Sequence, residues 1–112
     1  MPDTIVALAT PTGRSGIGVV RLTGEQSIAI LRQLVSETYF LPEPRHARLA
    51  TLIDRTRGET IDSAVVTYFK APHSFTGEDV VEISCHGSPV LLRQVIDLCL
   101  AANARMADPG EF

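Results

Sequence analysis

The sequence predicts an α+β fold, a mixed β-sheet with two main helices covering one face. Short β-branched and apolar runs alternate with Gly- and Pro-containing turns. Two segments carry apolar residues at helical spacing behind cap-like residues, and the chain is long enough for one core. At 112 residues and 45% hydrophobic composition, it is too short for two ordinary domains.

Thr4 to Ala9 is a first strand ended by Thr10-Pro11. The glycine loop Gly13-Arg14-Ser15-Gly16 leads into a second strand, Ile17 to Leu22. Nucleotide-binding glycine loops stand between a strand and a helix N-terminus, which aims its amides at phosphate. Here a strand follows, so the glycines suit a tight connection with positive φ or close backbone approach, and Arg14 at its tip is either solvated or a ligand clamp.

Thr23-Gly24-Glu25-Gln26 reads as a capping box with Thr23 as N-cap, opening a helix from about Gly24 to Ser36 with Ile28, Leu31, Leu34 and Val35 on its apolar face. Pro42 and Pro44 mark an extended connection. His46 to Ile53 and Ile61 to Phe69 then flank the polar turn Asp54 to Glu59 and predict a β-hairpin.

Ala71 to Gly77 is a loop and Asp79 to Cys85 a strand. Ser88 as N-cap with Pro89 at the first helical position starts a second helix. Leu91, Leu92, Val95, Ile96, Leu98, Cys99 and Ala102 leave it little polar face, which predicts deep packing. Asn103 suits its C-terminal end, and Ala104 to Ala107 can add a short edge strand.

Ten basic against thirteen acidic residues give a net charge of -3 without a Lys/Arg run, so no electrostatic footprint for a phosphate backbone is visible. The N-terminus lacks the basic region of a signal peptide, and no segment reaches the roughly 18 apolar residues of a membrane span, which predicts a soluble cytoplasmic protein with no membrane partner. Cys85 and Cys99 show no metal-ligand spacing and read as reduced core residues.

The stretch SFTGEDVVEISCHGSP, residues 74–89, crowds two glutamates, an aspartate, a cysteine and a histidine together. Strand alternation divides them: Val81, Ile83 and Cys85 on one face, Val80, Glu82, Ser84 and His86 on the other. A Cys85–His86 nucleophilic dyad is therefore disfavoured by geometry. Glu82 and His86 share a face but lie about 13 Å apart along a strand, so a metal site would need Glu78, His73 or a distant residue. A small metal-dependent enzyme using Glu78, Glu82 and His86 stays as a remote alternative. Arg21 shares a face with Ile17 and Val19, where a guanidinium needs a carboxylate from the fold or from a ligand. Glu82 is either a sheet charge paired across strands or a ligand acceptor. Phe75 either anchors its loop or stacks on a planar ligand.

Three blocks, DTIVALATPTGRSGIGVVRLTG, SFTGEDVVEISCHGSPV and the terminal PGEF, resemble the N-terminal domain of the MnmE (TrmE) type tRNA modification GTPases. The resemblance implies a fold related to the folate-binding part of the glycine-cleavage T protein family. It also implies homodimerisation and binding of a tetrahydrofolate derivative, 5-formyl- or 5,10-methylene-tetrahydrofolate. Carried over by position, the folate contacts fall on Arg21, in the GxGxxR segment, and Glu82, in the GEDVVE segment. A pterin offers an amino group and a ring N–H side by side, an edge that one carboxylate accepts; Arg21 could hold a ligand oxygen or orient Glu82.

In full-length relatives a helical domain and a GTPase domain follow, using GTP, Mg and K. With the FAD-dependent partner MnmG (GidA), such proteins modify C5 of the wobble uridine in tRNA, the folate supplying the added carbon. No GxxxxGKS/T loop occurs here, so the chain reads as a single N-terminal folate-binding and dimerisation domain, a fragment without catalysis of its own. A dimerisation-only module with an incomplete folate pocket is the nearest rival. The chain departs from the family pattern at Ser88 (a second glycine in CHGGP), Thr12 (a proline) and Asp108 (an arginine), the last weakening any anion contact near PGEF.

Overall fold

The computed structural model describes residues 3–10, 16–37, 40–74 and 76–111. The elements run β1 (Ile5–Leu8), β2 (Ile17–Thr23), α1 (Ser27–Leu34), β3 (Arg48–Asp54), β4 (Glu59–Phe69), β5 (Val80–His86), α2 (Pro89–Ala101) and β6 (Arg105–Met106). They form a six-stranded sheet in the order β3-β4-β5-β2-β1-β6. All neighbours are antiparallel except β1 and β6, so the sheet is mixed and the fold class is the expected α+β. The expected Ala104–Ala107 edge strand is β6.

Alternation decides the core. Val20 and Leu22 of β2, Ala64, Val66 and Tyr68 of β4, and Val81, Ile83 and Cys85 of β5 are buried, and they join Ile30, Leu31 and Leu34 of α1 with Leu92, Val95, Ile96 and Cys99 of α2 in one cluster. Both helices therefore lie on one face of the sheet. Gly18 makes room for α2: a Cβ there would stand 2.5 Å from Leu92 Cδ2. Of the glycine loop, Pro11 to Ser15, with the expectation for Arg14, lies outside the described residues.

The capping box is a correction. Thr23 remains in β2, paired with Ile5 and Val80, and its hydroxyl bonds Thr76 Oγ1 at 2.6 Å, so it cannot cap α1. Gly24, at φ +135°, turns the chain, and the helix starts at Ser27 with Gln26 as N-cap. Thr4 of the β1 edge replaces the cap: its Oγ1 accepts the Gln26 N–H at 3.0 Å, while Ser27 Oγ donates to Gly24 O at 2.9 Å. At the other end Val35 turns extended and bridges Leu52, so α1 stops short of Ser36. Arg55, from the β3–β4 turn, donates to the C-terminal carbonyls of Gln33 and Val35 at 3.1 and 2.6 Å. A charge from the hairpin thus meets the negative end of the helix.

The start of α2 is as expected. Ser88 is its N-cap, accepting from the Leu91 N–H, and Pro89 is its first residue. Ala102 closes it, and Asn103 takes the left-handed φ of 78° that follows a helix end. Asn103 and Ala104 donate to Leu100 O and Cys99 O, the paired bonds of a Schellman end. Deep packing holds for one side only: Leu91 and Leu98 are half-buried and Val90 is exposed, because among the described residues no further layer lies over α2. No helix among the described residues is long and apolar enough to cross a membrane.

The β3–β4 pairing carries a bulge: Leu52 faces Asp62 but Ile53 faces Thr60, which leaves Ile61 as the extra residue. The β4–β5 ladder then ends at Val65↔Ser84, and Asp62 is free to reach the end of β5 with its side chain.

Gly24 tolerates no side chain without a shift of β1, since a Cβ at its positive φ would meet Thr4 Cα at 2.7 Å. Gly24→Ala should lower the unfolding free energy by about 2 to 4 kcal/mol. Denaturant unfolding followed by circular dichroism checks this, and an unchanged midpoint would refute the close approach of β1 to this turn.

Candidate functional site

The face of the sheet without helices carries Ile5 and Ala7 of β1, Ile17, Val19, Arg21 and Thr23 of β2, Val80, Glu82, Ser84 and His86 of β5, Val65, Thr67 and Phe69 of β4, and Leu49 of β3. Register places Arg21 directly opposite Glu82, with Ala7 beyond Arg21 and Thr67 beyond Glu82. The two expected site residues, 61 positions apart in sequence, thus sit side by side on neighbouring strands.

They form an ion pair. Arg21 Nε and Nη2 both donate to Glu82 Oε2, at 2.9 and 2.5 Å. The side chains keep 27% and 26% of their surface exposed, so the pair is shielded but wet. Both bonds fall on the same carboxylate oxygen. Of the two readings of Arg21 at the sequence level, the fold supplies the carboxylate: the guanidinium holds Glu82 in one orientation.

Ser84, two residues along, lies between Val19 and Val65, and Leu49 continues this row. Leu49 is 68% exposed, Ile17 62% and Val65 40%. An apolar band therefore runs beside the charged pair. On the other side the face is overgrown: Val80, Ile5 and Thr23 are buried, and Thr76 is tied to Thr23. A cleft of about 430 Å³ lies there, lined by Ile5, Thr23, Thr76, Glu78, Arg105 and Glu111. Phe75, the aromatic of this loop, lies outside the described residues.

His86 stands at the end of β5, mostly exposed, and is fixed by Asp62. Asp62 Oδ2 accepts the His86 N–H at 3.1 Å, and His86 Nδ1 lies 2.9 Å from both carboxylate oxygens. Burial alone would raise the Asp62 pKa, but the His86 N–H and imidazole and the Ser63 N–H outweigh it and hold the carboxyl below its usual range. Glu78, Glu82 and His86 thus have separate surroundings, and no group of three metal-ligating side chains occurs among the described residues. Cys85 points the other way, 4% exposed, its thiol pushed up to about 11 first by burial and then by the Asp62 charge; Cys99 is pushed up to about 12 by burial. Both cysteines are free and inert core residues.

Sequence reasoning missed Asp62, although its alternation with buried Ala64, Val66 and Tyr68 marks a carboxylate on an apolar face, a signal that was readable. It also missed what PGEF does. Glu111 accepts from the Asp108 N–H at 2.7 Å and is ion-paired with Arg105, which also reaches Asp3 at 2.8 Å. Asp108 adds a third carboxylate at 3.8 Å from Arg105. The arginine near PGEF is therefore surrounded by acids.

Because the Asp62 pKa is depressed in the fold, its contribution to stability is present above the unfolded carboxylate pKa of about 4 and is lost as pH falls through the folded value. Asp62→Asn should flatten that acid limb and cost about 0.5 to 1.5 kcal/mol at pH 7. Urea titrations between pH 2 and 7 measure both, and an acid limb identical to wild type would remove Asp62 from the account.

A family model described as the N-terminus of GTP-binding protein TrmE matches residues 4–112. The tRNA modification GTPase MnmE of Koribacter versatilis is 54% identical over 114 residues, covering all of this chain and 25% of that protein. Those of Aromatoleum aromaticum and Xanthomonas campestris are 49% and 52% identical over 112 residues, again all of this chain and 24% of theirs. The chain spans about a quarter of the length of these relatives. It belongs to the TrmE N-terminal family, the N-terminal domain of the MnmE-type tRNA modification GTPases.

Proposed function

We propose that this domain binds a tetrahydrofolate derivative and forms a homodimer, serving a larger tRNA modification GTPase that works with an FAD-dependent partner of the MnmG type. The observation that carries the reading is the Arg21–Glu82 pair on the helix-free face, where the guanidinium bonds one carboxylate oxygen, Oε2. A pterin edge carries two adjacent N–H donors, and a carboxylate held from one side by a guanidinium keeps acceptor lone pairs for both. Arg21 in this reading orients Glu82 and balances its charge. The domain has no catalytic role assigned to it; GTP, Mg and K belong to the GTPase part of the full-length protein, and tRNA is the substrate of the complex.

The apolar band of Ile17, Leu49 and Val65 supports the homodimer half of the reading. A sheet face with exposed aliphatic side chains beside a half-shielded ion pair is suited to a second copy of the same face. Should the folate site need groups from elsewhere in the full-length protein, the isolated domain acts as the dimerisation module alone.

Titrating the domain with 5-formyltetrahydrofolate by calorimetry tests the first half. Glu82→Gln should cost about 1.5 to 3 kcal/mol of affinity, the range for hydrogen bonds to a charged group. Its melting temperature should hardly move, because exposed ion pairs contribute about 0 to 1 kcal/mol. Equal affinity in the variant would reduce Glu82 to a sheet charge, and no heat with wild type at high micromolar ligand would leave the dimerisation-only reading. For the second half, Leu49→Asp with Val65→Lys should turn a dimer into a monomer in sedimentation velocity at unchanged helix and sheet content. A dimer that survives both substitutions lies on another face.

A further inference from the structure

A second site is written in the distribution of basic side chains. Most arginines of the described residues are engaged within the fold. Arg21 and Arg105 hold carboxylates, Arg57 and Arg93 are paired with Asp54 and Asp97, Arg32 and Arg55 donate to main-chain carbonyls, and Arg48 lies over the Phe40 ring. His46 is paired with Glu43 and His86 with Asp62. Among the described residues, the basic side chains left without a hydrogen bond, ion pair or ring contact are Arg45, Lys70 and His73. All three line one cleft of about 470 Å³, together with Pro44 and Ala71. Lys70 is the sole lysine of the sequence.

The backbone is arranged to present them. Arg45 takes a φ of 64°, a conformation that costs a non-glycine residue energy and that the surroundings must impose. Its N–H is held by Tyr68 O at 2.7 Å, which fixes the turn over the end of β4, and Lys70 leaves β4 two residues later. Asp79 accepts from the Ala71 N–H at 2.9 Å, and Glu43 faces His46. The other described residues that line the cleft are Pro44 and Ala71.

We propose that this cleft is a binding site for a phosphate group of an RNA backbone. Guanidinium, ammonium and imidazole groups lining one cleft, with no carboxylate among its described lining residues, suit a phosphate oxyanion, the group that positions a nucleic-acid backbone. The choice of RNA over other phosphates rests on the reading that the domain serves a tRNA-modifying protein. Two or three contacts make a weak, salt-dependent anchor that adds to contacts from the rest of the assembly.

Nitrogen-15 NMR of this chain titrated with an RNA stem-loop at about 50 mM salt tests it. Saturable shifts of the Arg45, Lys70, Ala71 and His73 resonances are expected, and Arg45→Gly with Lys70→Gln should weaken them at least about fivefold and reduce the salt slope by roughly 1.5 to 2. Arg45→Gly suits the positive φ, so loss of binding in it does not reflect a lost fold. Shifts that stay away from the cleft, or no shifts at millimolar RNA, overturn the proposal. So does a response to inorganic phosphate alone, which would make the cleft a free-anion site, or to the glutamate end of 5-formyltetrahydrofolate. Folate affinity is read separately through Glu82, so failure of the RNA site and failure of the folate reading give different results.

Discussion

Antiparallel pairing of β2 with β5 is the constraint on which the molecule depends. One register sets Leu22 against Val81 and Val20 against Ile83 beneath the helices, and Arg21 against Glu82 on the other side. Because strand side chains alternate, shifting this register by a single residue would drive the charges into the core and the aliphatic residues into water. The ion pair contributes little stability at its exposure, but it agrees with the register that the core already demands. Core and candidate site are two sides of the same ladder.

The uncovered face then has a division of labour along its strands. Near β1 and β6 it is overgrown by Thr76 and by the segment after β6, with Thr23 and Thr76 hydrogen-bonded and Arg105 gathering Asp3 and Glu111. Toward β3 it stays open and apolar through Val65 and Leu49. Arg21 and Glu82 lie between the two regions, half-shielded, which is where a planar polar ligand could exchange hydrogen bonds with Glu82 while resting on aliphatic neighbours. The basic cleft of Arg45, Lys70 and His73 is built on the turn at the end of β4 and uses none of these residues.

Much of this was legible in the sequence, for reasons that differ by element. Period-two alternation separated Cys85 from Glu82 and His86 correctly because one face of β5 is fully buried, and Ser88-Pro89 marked the start of α2 because its cap is local. The capping box at Thr23 failed because a long-range strand pair claimed that residue, and the hydroxyl that replaced it, on Thr4, is 22 positions from the N–H it accepts. Pattern reading has no access to such partners. The juxtaposition of Arg21 with Glu82 was likewise visible only as a need for a carboxylate, supplied at the sequence level by family resemblance and in the fold by strand register. Asp62 was readable in principle as a charge in an apolar alternation, but the bulge at Ile61 that lets it reach His86 was not.

The central claim is that Glu82, oriented by Arg21, is the acceptor for a pterin edge. A crystal structure of the domain with 5-formyltetrahydrofolate measures this directly. The account predicts the pterin amino group and adjacent ring N–H within hydrogen-bond distance of the Glu82 carboxylate, with the Arg21–Glu82 contact retained. A folate bound with its pterin away from Glu82, or one that displaces Glu82 from Arg21 without bonding to it, would contradict the account.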